Sequence, residues 1–341
     1  MRHTRCGLLA VVICSVLVAC GGGGGGSVVG GSGGSSPYTG IQAPAEISNQ
    51  NAVEIVSSAL SGADMGTTSA IVPLSAETRK IDFSGSPIPL TTNIASSIRT
   101  VITSLPVLNS VAPSYSSPRP LFSETGSFPD PYGIGSLSYN ITIDEVTYNF
   151  SGSLTYNNFH FYLDSYINGT VSISGYSDQY FRLQTYTISS SGITYVLEGQ
   201  PLSILAFSYT ESVTFDSTGF PITYDTTMTY YVKDDITGKV SWVDHYTIHQ
   251  EQINSSTVSA SISGRFYHPN YGYVDIVTVQ PFISDYLGSY YPYSGILIFT
   301  GANNKSAKLT VLDSTNVLLE VDSDGNGTYE YSQVLPWGSI M

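Results

Sequence analysis

The pattern of apolar and polar residues changes near Gly133. From there on, short segments rich in Tyr, Thr, Val, Ile and Phe are separated about every 8 to 12 residues by Gly, Asn, Asp and Ser. Residues 136–143 alternate strictly, and their odd positions carry the apolar side chains. This pattern predicts a mainly β fold, with a large antiparallel sheet or sandwich-like body over residues 132–341.

Turn signals divide this region. The pair Asn168-Gly169, which lies between two β-prone segments, is the strongest hairpin signal in the chain. Further turns are predicted at Ser191-Gly192, Thr218-Gly219, Thr237-Gly238 and Asn270-Tyr271-Gly272. The sequence shows no helical periodicity in this part of the chain.

Residues 37–131 are predicted to be a mixed, mostly irregular segment with two short helices. Ser48 is placed to cap the first helix, which Gly62 is expected to end. Its apolar face consists of Ala52, Val53, Val56, Ala59 and Leu60. Both predicted apolar faces are narrow, which favours packing of the helices on a sheet.

The second helix is expected to start near Thr92 and to end at Pro106. Its apolar positions are Ile94, Ile98, Val101, Ile102 and Leu105. The proline-rich and serine-rich stretch that follows, residues 113–131, is predicted to be a loop or linker.

Residues 1–19 are predicted to be a signal peptide. An apolar run after Arg2 and Arg5 is about half of the ~20 residues that a membrane-spanning helix needs. The sequence Leu17-Val18-Ala19-Cys20 resembles the lipobox of bacterial lipoproteins, which implies cleavage before Cys20 and acylation of Cys20, with palmitate among the chains. The alternative is ordinary cleavage after Ala19.

Residues 20–36 comprise this cysteine and a Gly/Ser tether, whose flexible coil has a reach of about 22 Å. In the sorting system of such lipoproteins, Asp after the cysteine favours the inner membrane, whereas this chain has Gly21. We therefore expect a lipid-anchored location at the cell outer membrane, either periplasmic or surface-exposed, with the lipid bilayer as a partner through acylated Cys20.

Charge and cysteine content exclude several classes of function. The 341 residues include 26 acidic and 12 basic side chains, and the formal net charge is −14. Nucleic acid is therefore not an expected partner, because phosphate neutralisation needs clustered Lys or Arg. All three cysteines, Cys6, Cys14 and Cys20, precede the tether, so the body has no thiol for a disulfide, a zinc site or catalysis.

The motif with the most specific chemistry is residues 322–330, Asp-Ser-Asp-Gly-Asn-Gly-Thr-Tyr-Glu. Oxygen-bearing side chains at positions one, three and five, followed by glycine at six, form the first half of a calcium loop. The flanking segments have the composition of strands, and position twelve is Gln333, so the motif is not an EF-hand. The predicted calcium ligands are Asp322, Asp324, Asn326, the Thr328 carbonyl and Glu330. The alternative is a hairpin turn that carries acidic residues.

Other candidates have weaker patterns. His245 and His249 have the spacing of a helical metal motif, but the surrounding residues alternate like a strand, where they would be ~13 Å apart. His160 and His268 have no spaced partner and are expected at strand ends. The acidic pairs Asp234-Asp235 and Asp144-Glu145 are of the kind seen in glycosidase sites, but catalysis needs a cleft and a carboxylate separation that adjacency in sequence does not supply. Asp234-Asp235 is instead predicted to form a turn.

Surface tyrosines, four of them near one another in the sequence, are candidates for a platform that stacks on sugars. They are Tyr286, Tyr290, Tyr291 and Tyr293. Tryptophan, the usual stacking residue, occurs only twice in the chain, so a solvated sheet surface is the simpler interpretation.

Three stretches together resemble a family of uncharacterised lipoproteins of deltaproteobacteria and related Gram-negative bacteria. They are Tyr38-Thr39-Gly40 with Pro44-Ala45 and Asn51-Ala52; Asn168-Gly169-Thr170-Val171; and the close from Ser294-Gly295 through residues 322–330 to Trp337. The resemblance implies an envelope location and a β architecture, and it assigns no catalytic residues.

These features favour a lipid-anchored, non-enzymatic envelope protein with a structural or adhesive role and no certain cofactor. A second hypothesis is a module that binds an envelope glycan or small ligand with a Tyr-rich sheet face. A third is a hydrolase whose acidic residues converge only in the folded state. An exposed aromatic groove would favour the second hypothesis, and a pocket with perturbed carboxylates the third.

Overall fold

A computed structural model describes residues 36–67, 94, 97, 98, 100, 101, 122–180, 182–197, 200–285 and 291–340. The chain divides into two units, Met1–Ser36 and Pro37–Met341, and the second contains every helix and strand described below. The predicted signal peptide, Cys20 and all of the tether before Ser36 lie outside the described residues.

The body is mainly β, as predicted, and its strands form one antiparallel sheet. The fifteen strands are β1 (Phe122–Pro129), β2 (Ser136–Ile143), β3 (Asn149–Tyr162), β4 (Ser165–Ser177), β5 (Leu183–Ser190), β6 (Ile193–Leu197), β7 (Gln200–Phe215), β8 (Pro221–Asp234), β9 (Val240–Gln252), β10 (Thr257–His268), β11 (Gly272–Asp285), β12 (Ser294–Thr300), β13 (Ser306–Val311), β14 (Asn316–Asp322) and β15 (Tyr331–Pro336). Among the described residues, helix α1 (Ala52–Thr67) precedes them, and 3₁₀ helices occur at Ala302–Asn304 and Trp337–Ser339.

Neighbours in the sheet are neighbours in the chain, with one exception. Strands β5 and β6 occupy the same position, because each pairs with both β4 and β7. Ser191-Gly192 is therefore a bend within one interrupted strand, and the turn predicted there is wrong.

The hairpin predicted at Asn168-Gly169 is also wrong. Both residues lie inside β4, and the connection from β3 to β4 is Leu163-Asp164. Gly169 has a φ of +123°, and a Cβ at this position would lie 2.9 Å from the Gly192 carbonyl oxygen. Asn168 Oδ1 accepts the N–H of Asn158 at 2.6 Å beside a register shift, so the pair belongs to a β-bulge.

The other three turn predictions are confirmed. Thr218-Gly219 connects β7 to β8, Thr237-Gly238 connects β8 to β9, and Asn270-Tyr271-Gly272 leads from β10 into β11. The glycines have φ values of +88°, +70° and +95°, a conformation that glycine adopts without steric cost.

The sequence predicts a loop over residues 113–131, of which the structure describes residues 122–131. For most of these described residues the prediction is wrong. Strand β1 lies within this range and pairs with β2 from Phe122↔Ile143 to Pro129↔Ser136. Proline is tolerated here because Pro129 is the last residue of the strand. Residues 113–121 lie outside the described part of the chain.

Helix α1 packs against β8, β9 and β10 on the face of the sheet that we call the inner face. Tyr230 donates its hydroxyl to the Gly62 carbonyl at 2.5 Å, and Tyr246 donates to the Ala59 carbonyl at 3.2 Å. The predicted end at Gly62 is wrong, since the helix continues to Thr67. A Cβ at Gly62 would lie 3.0 Å from Val243 Cγ2, so this glycine lets helix and sheet approach closely.

The predicted apolar face of α1 is confirmed: Ala52, Val56, Ala59 and Leu60 are buried and Val53 is half-buried. Ser48 does not cap the helix with its hydroxyl. Instead, its carbonyl accepts the Ala52 N–H at 3.0 Å, and Asn51 Oδ1 accepts the Ser48 N–H at 2.9 Å.

The second predicted helix is described only in part. Ile94, Ile98 and Val101 have helical backbone and are fully buried, as predicted. Ile102, Leu105 and Pro106 lie outside the described residues.

Candidate functional site

The predicted calcium loop connects β14 to β15, so its flanks are strands, as expected. Asp322 is the last residue of β14, and Glu330 immediately precedes β15. Gly325 and Gly327 have φ values of +78° and +87° and make the sharp turns that bring the acidic residues together. Carboxylate oxygens of Asp322, Asp324 and Glu330 lie within 4.8 Å of one another. These three are the only such group of potential metal ligands among the residues that the structure describes.

Asp322 holds the loop through its backbone. Its Oδ1 accepts the Gly325 and Asn326 N–H groups at 2.7 and 3.2 Å, and its Oδ2 accepts the Gly327 N–H at 2.8 Å. The residue is 2% exposed. Burial alone would raise the pKa of its carboxyl, but the hydrogen bonds from Gly327, Gly325 and Asn326 outweigh this effect and lower the pKa below its ordinary value.

Asn326 bridges the other two carboxylates with its amide. Its Nδ2 donates to Asp324 Oδ2 at 2.8 Å and to Glu330 Oε1 at 3.4 Å, while its Oδ1 accepts the Thr328 N–H at 2.7 Å. Calcium binding by Asn326 Oδ1 would require the amide to rotate and to give up these bonds. The structure thus brings the predicted side-chain ligands together, and calcium binding stays a prediction.

The histidines of β9 do not converge on each other. His245 lies at a register shift with a φ of +52°, and its Nδ1 contacts Asp244. His249 Nδ1 lies instead 2.7 Å from Oδ1 of Asp225 on β8. Each histidine therefore has its own aspartate partner.

A buried pair closes the turn between β1 and β2. Asp130 is 4% exposed and accepts the N–H groups of Tyr132, Ile134, Gly135 and His160 at 2.7–3.0 Å. His160 Nδ1 lies 3.2 Å from Asp130 Oδ2. Burial opposes ionisation of Asp130, but the four backbone hydrogen bonds outweigh it and hold the carboxyl pKa well below its usual range.

The expectation that His160 and His268 lie at strand ends holds for one of them. His268 is the last residue of β10, and its Nε2 lies 3.5 Å from Glu54 Oε1 on α1. Burial lowers the pKa of His268, although the charge of Glu54 opposes this shift. His160 lies inside β3.

The acidic pairs lie in turns. Asp234 Oδ1 accepts the Ile236 and Thr237 N–H groups, which confirms the predicted turn. Asp144 Oδ1 accepts the Val146 and Thr147 N–H groups in the same way. Asp234 and Asp144 therefore have a local structural role in these turns.

Of the four tyrosines proposed as a stacking platform, only two lie in the described residues. Tyr291 is stacked on Trp337, with ring centroids 5.5 Å apart and an angle of 5° between the planes. Tyr293 is 39% exposed. Tyr286 and Tyr290 lie outside the described part.

The feature that the sequence did not reveal is a row of hydroxyl side chains on the outer face, the face opposite α1. Consecutive cross-strand partners place one Ser or Thr on each of nine neighbouring strands, from β1 to β10 with β5 in the shared position. This hydroxyl row is Ser123, Thr142, Ser151, Ser174, Thr187, Thr210, Thr227, Thr247 and Ser263. Every member is half-buried or exposed.

A shorter row lies two residues away along the strands and has a similar composition. It consists of Thr125, Asn140, Ser153, Ser172, Ser189, Ser208 and Thr229. The two rows therefore form a two-dimensional array of neutral hydrogen-bonding groups, about 4.8 Å apart across strands and about 6.6 Å apart along them.

The outer face also carries an aromatic row, Tyr231, Trp242, Tyr267 and Tyr273, on β8 to β11. Trp242 and Tyr267 stack on each other with centroids 4.0 Å apart. Tyr38 packs against both and is 3% exposed. Ring faces are thus occupied by other rings, and this row does not form an open stacking platform.

Comparison with family models, curated proteins and solved structures finds no match to this chain. Within the described residues, no helix has the length and apolar character needed to span a membrane.

Proposed function

We propose that this protein is a lipid-anchored, non-enzymatic protein of the cell outer membrane whose body is an adhesive module for neutral, hydroxyl-rich surfaces. The observation that carries the adhesive part is the hydroxyl row. The lipobox-like sequence at Cys20 and the Gly/Ser tether that follows support the anchor.

Hydroxyl groups suit this role because each one donates one hydrogen bond and accepts two. Neighbours in the row already pair with each other, as in Thr187–Thr210 at 2.9 Å and Thr247–Ser263 at 2.7 Å. Each pair uses one hydrogen, so both oxygens keep acceptor capacity and one hydrogen stays available for a partner. Eight strand intervals give the row a length of about 38 Å, enough for many weak contacts with one polymer.

The distribution of charge supports a neutral partner. The chain has a net charge of −14, yet the hydroxyl row contains no ionisable residue. Many of the aspartates lie in turns, for example Asp144, Asp216 and Asp313, where they accept backbone N–H groups. The hydroxyl row is thus polar but uncharged, which suits a neutral polysaccharide better than an anionic one.

Adhesion can be tested by measuring retention of the lipidated protein on microcrystalline cellulose, insoluble mannan and curdlan. The double variant Thr187→Lys/Thr210→Lys places two charges in the row, and we expect at least tenfold lower retention. The matched control, Thr310→Lys/Ser332→Lys, adds the same charge to β13 and β15, and we expect retention within twofold of wild type. Equal retention by both variants, or no retention of the wild type on any of the three polymers, would contradict the adhesive function.

The anchor needs a separate test. Cys20→Ser should abolish palmitate labelling and remove the protein from outer-membrane fractions of a sucrose gradient, because no sulfur remains for acylation. A Cys20→Ser protein that still labels and still sediments with the outer membrane would contradict lipid anchoring. Ser15→Ala, in the apolar run of the leader, serves as the control.

A further inference from the structure

The hydroxyl row ends beside a groove on the outer face. Strands β8 to β11 form this groove, whose volume is about 450 Å³, within the roughly 300–1,000 Å³ range of small-ligand sites. The last three members of the row, Thr227, Thr247 and Ser263, line it. The groove lies where the register between β10 and β11 shifts, and Thr278 Oγ1 there bonds to both the N–H and the carbonyl of Ile262.

One hydrogen-bonded aspartate–histidine pair lines this groove. Asp225 on β8 and His249 on β9 are direct cross-strand partners, and their Oδ1 and Nδ1 atoms lie 2.7 Å apart. Their side chains are 61% and 49% exposed, so a bound molecule can reach both. Since a carboxylate can only accept, Nδ1 carries the proton, and the pair presents carboxylate oxygens beside the imidazole Nε2. Two hydrogen-bonding groups side by side match two hydroxyls on adjacent carbon atoms.

The remaining lining distinguishes between classes of ligand. None of the described residues that line the groove is Lys or Arg, so a phosphate, sulfate or uronic acid would meet the Asp225 carboxylate with no lysine or arginine to offset its charge. Val277, the next cross-strand partner after Ser263, is 48% exposed and offers an apolar surface. A pyranose ring has the matching properties, because its hydroxyls lie at the rim and its C–H groups form an apolar face.

We infer that this groove binds a sugar residue of a neutral polysaccharide, with Asp225 and His249 bonding to vicinal hydroxyls and Val277 packing on the ring. This inference rests on the proposed adhesive function and adds a defined subsite to it. The row supplies many equivalent contacts, which allow a polymer to slide, whereas the groove holds one residue in a fixed orientation.

The test is titration calorimetry on the lipidated full chain, in a detergent without a sugar headgroup. The probes are cellohexaose, mannohexaose and laminarihexaose, with hexagalacturonate as the anionic comparison. For at least one neutral hexasaccharide, we expect Asp225→Ala and His249→Ala to weaken binding at least tenfold. Thr310→Val, on β13 and outside both the hydroxyl row and the groove, should change it less than twofold. Thermal melts followed by circular dichroism check that each variant is folded.

Different results identify which proposal fails. If the groove variants bind every hexasaccharide as the wild type does, while Thr187→Lys/Thr210→Lys still loses retention on the insoluble polymers, the groove assignment is wrong and the adhesive function stands. Tighter binding of hexagalacturonate than of all neutral probes would also overturn the groove assignment. If the wild type adheres to none of the insoluble polymers, the adhesive function fails and the groove assignment fails with it.

Discussion

The row of the outer face that begins at Ser123 can be followed across the whole sheet, and its two parts carry different side chains. From β1 to β10 every position is Ser or Thr. From β11 to β15 the same row continues as Val277, Ile298, Lys308, Glu320 and Ser332. Both parts have the same antiparallel pairing and the same orientation toward solvent.

The difference shows that the hydroxyl composition is not a requirement of the fold. At equivalent positions, the C-terminal strands carry apolar residues and an ion pair, Lys308–Glu320, with 2.6 Å between Nζ and Oε2. A sheet of this kind thus tolerates charge and branched apolar residues on its outer face. The uniformity of the first part therefore calls for another explanation, and adhesion is the one that we propose.

The two parts can be followed separately, because the chain has only two tryptophans and each part contains one. Trp242 lies on β9, and Trp337 follows β15. Trp337→Phe leaves a fluorescence probe in the first part, and Trp242→Phe leaves one in the second.

The largest expected effect is that of acid. Aspartates in turns have pKa values below their ordinary value, because backbone and side-chain hydrogen bonds favour the ionised form. They are Asp130, Asp144, Asp178, Asp216, Asp234, Asp235, Asp313 and Asp322. A lowered folded-state pKa adds stability that is fully present above the unfolded value of about 3.9 and is lost as the pH falls through the lower folded-state values.

Most of these aspartates belong to the turns of β1 to β10. Urea unfolding at pH 7, 4 and 2.5 should therefore show a large loss of stability in acid, with a greater shift for Trp242 fluorescence than for Trp337 fluorescence. A midpoint that does not change with pH would contradict this account of the turns. If the urea midpoints from Trp242 and Trp337 fluorescence shift by the same amount, the sheet unfolds as one unit. The two parts of the sheet then do not differ in their stability toward acid.

The next largest effect is expected at the turn between β1 and β2. In Asp130→Asn, an NH₂ group would face one of the buried backbone donors, and we expect a loss of about 3 kcal/mol of unfolding free energy. Asp164→Asn, in the exposed turn between β3 and β4, should have little effect. Urea unfolding at pH 7 measures both variants, and equal stabilities would show that the Asp130 hydrogen bonds contribute little.

A smaller effect is expected from calcium, which should act on the second part of the sheet. At ten times a dissociation constant of ~10⁻⁴–10⁻³ M, binding to the loop over residues 322–330 would stabilise the protein by about 1.4 kcal/mol. The melting temperature should rise in millimolar Ca²⁺, and the rise should be absent in Asp324→Ala. Wild type and Asp324→Ala that melt alike with calcium and with EDTA would show that the loop is only a turn.

The smallest effects are expected from exchanging side chains within the row. Thr187→Val/Thr210→Val removes a hydroxyl pair but keeps β-branched side chains, and Lys308→Met removes an ion pair. Each should change the unfolding free energy by less than about 1 kcal/mol. Retention on polysaccharide should fall only in the threonine variant. If Thr187→Val/Thr210→Val and Lys308→Met lose retention equally, the two parts of the sheet do not differ in function.

The sequence predicted the elements whose causes are local. Glycine with positive φ marks the turns at Gly219 and Gly238, and alternation with period two marks β2. The meaning of Asn168-Gly169 depends on a strand that follows later in the chain, because Gly169 lies against Gly192. A local pattern therefore could not distinguish a hairpin turn from a bulge.

The candidate sites also differ in whether a local pattern in the sequence reveals them. The acidic loop was found because its residues are close in sequence and the spacing itself places oxygens around one point. The hydroxyl row and the pair Asp225–His249 depend on the register between strands, which bulges shift by one or more residues. Period-two Ser and Thr in segments such as residues 151–155 were the available signal, and they give no information on alignment.

The nearest-neighbour order of the strands has a consequence for how the chain is made. Apart from β6, which pairs with β4 and β7, each new strand pairs with the strand before it, so the sheet can grow one hairpin at a time from its N-terminal end, without waiting for distant segments. Helix α1 is the exception, since its partners β8, β9 and β10 emerge much later. Until those strands are made, the apolar face of α1 lacks the sheet surface that covers it in the folded protein, and such exposed apolar surface favours aggregation.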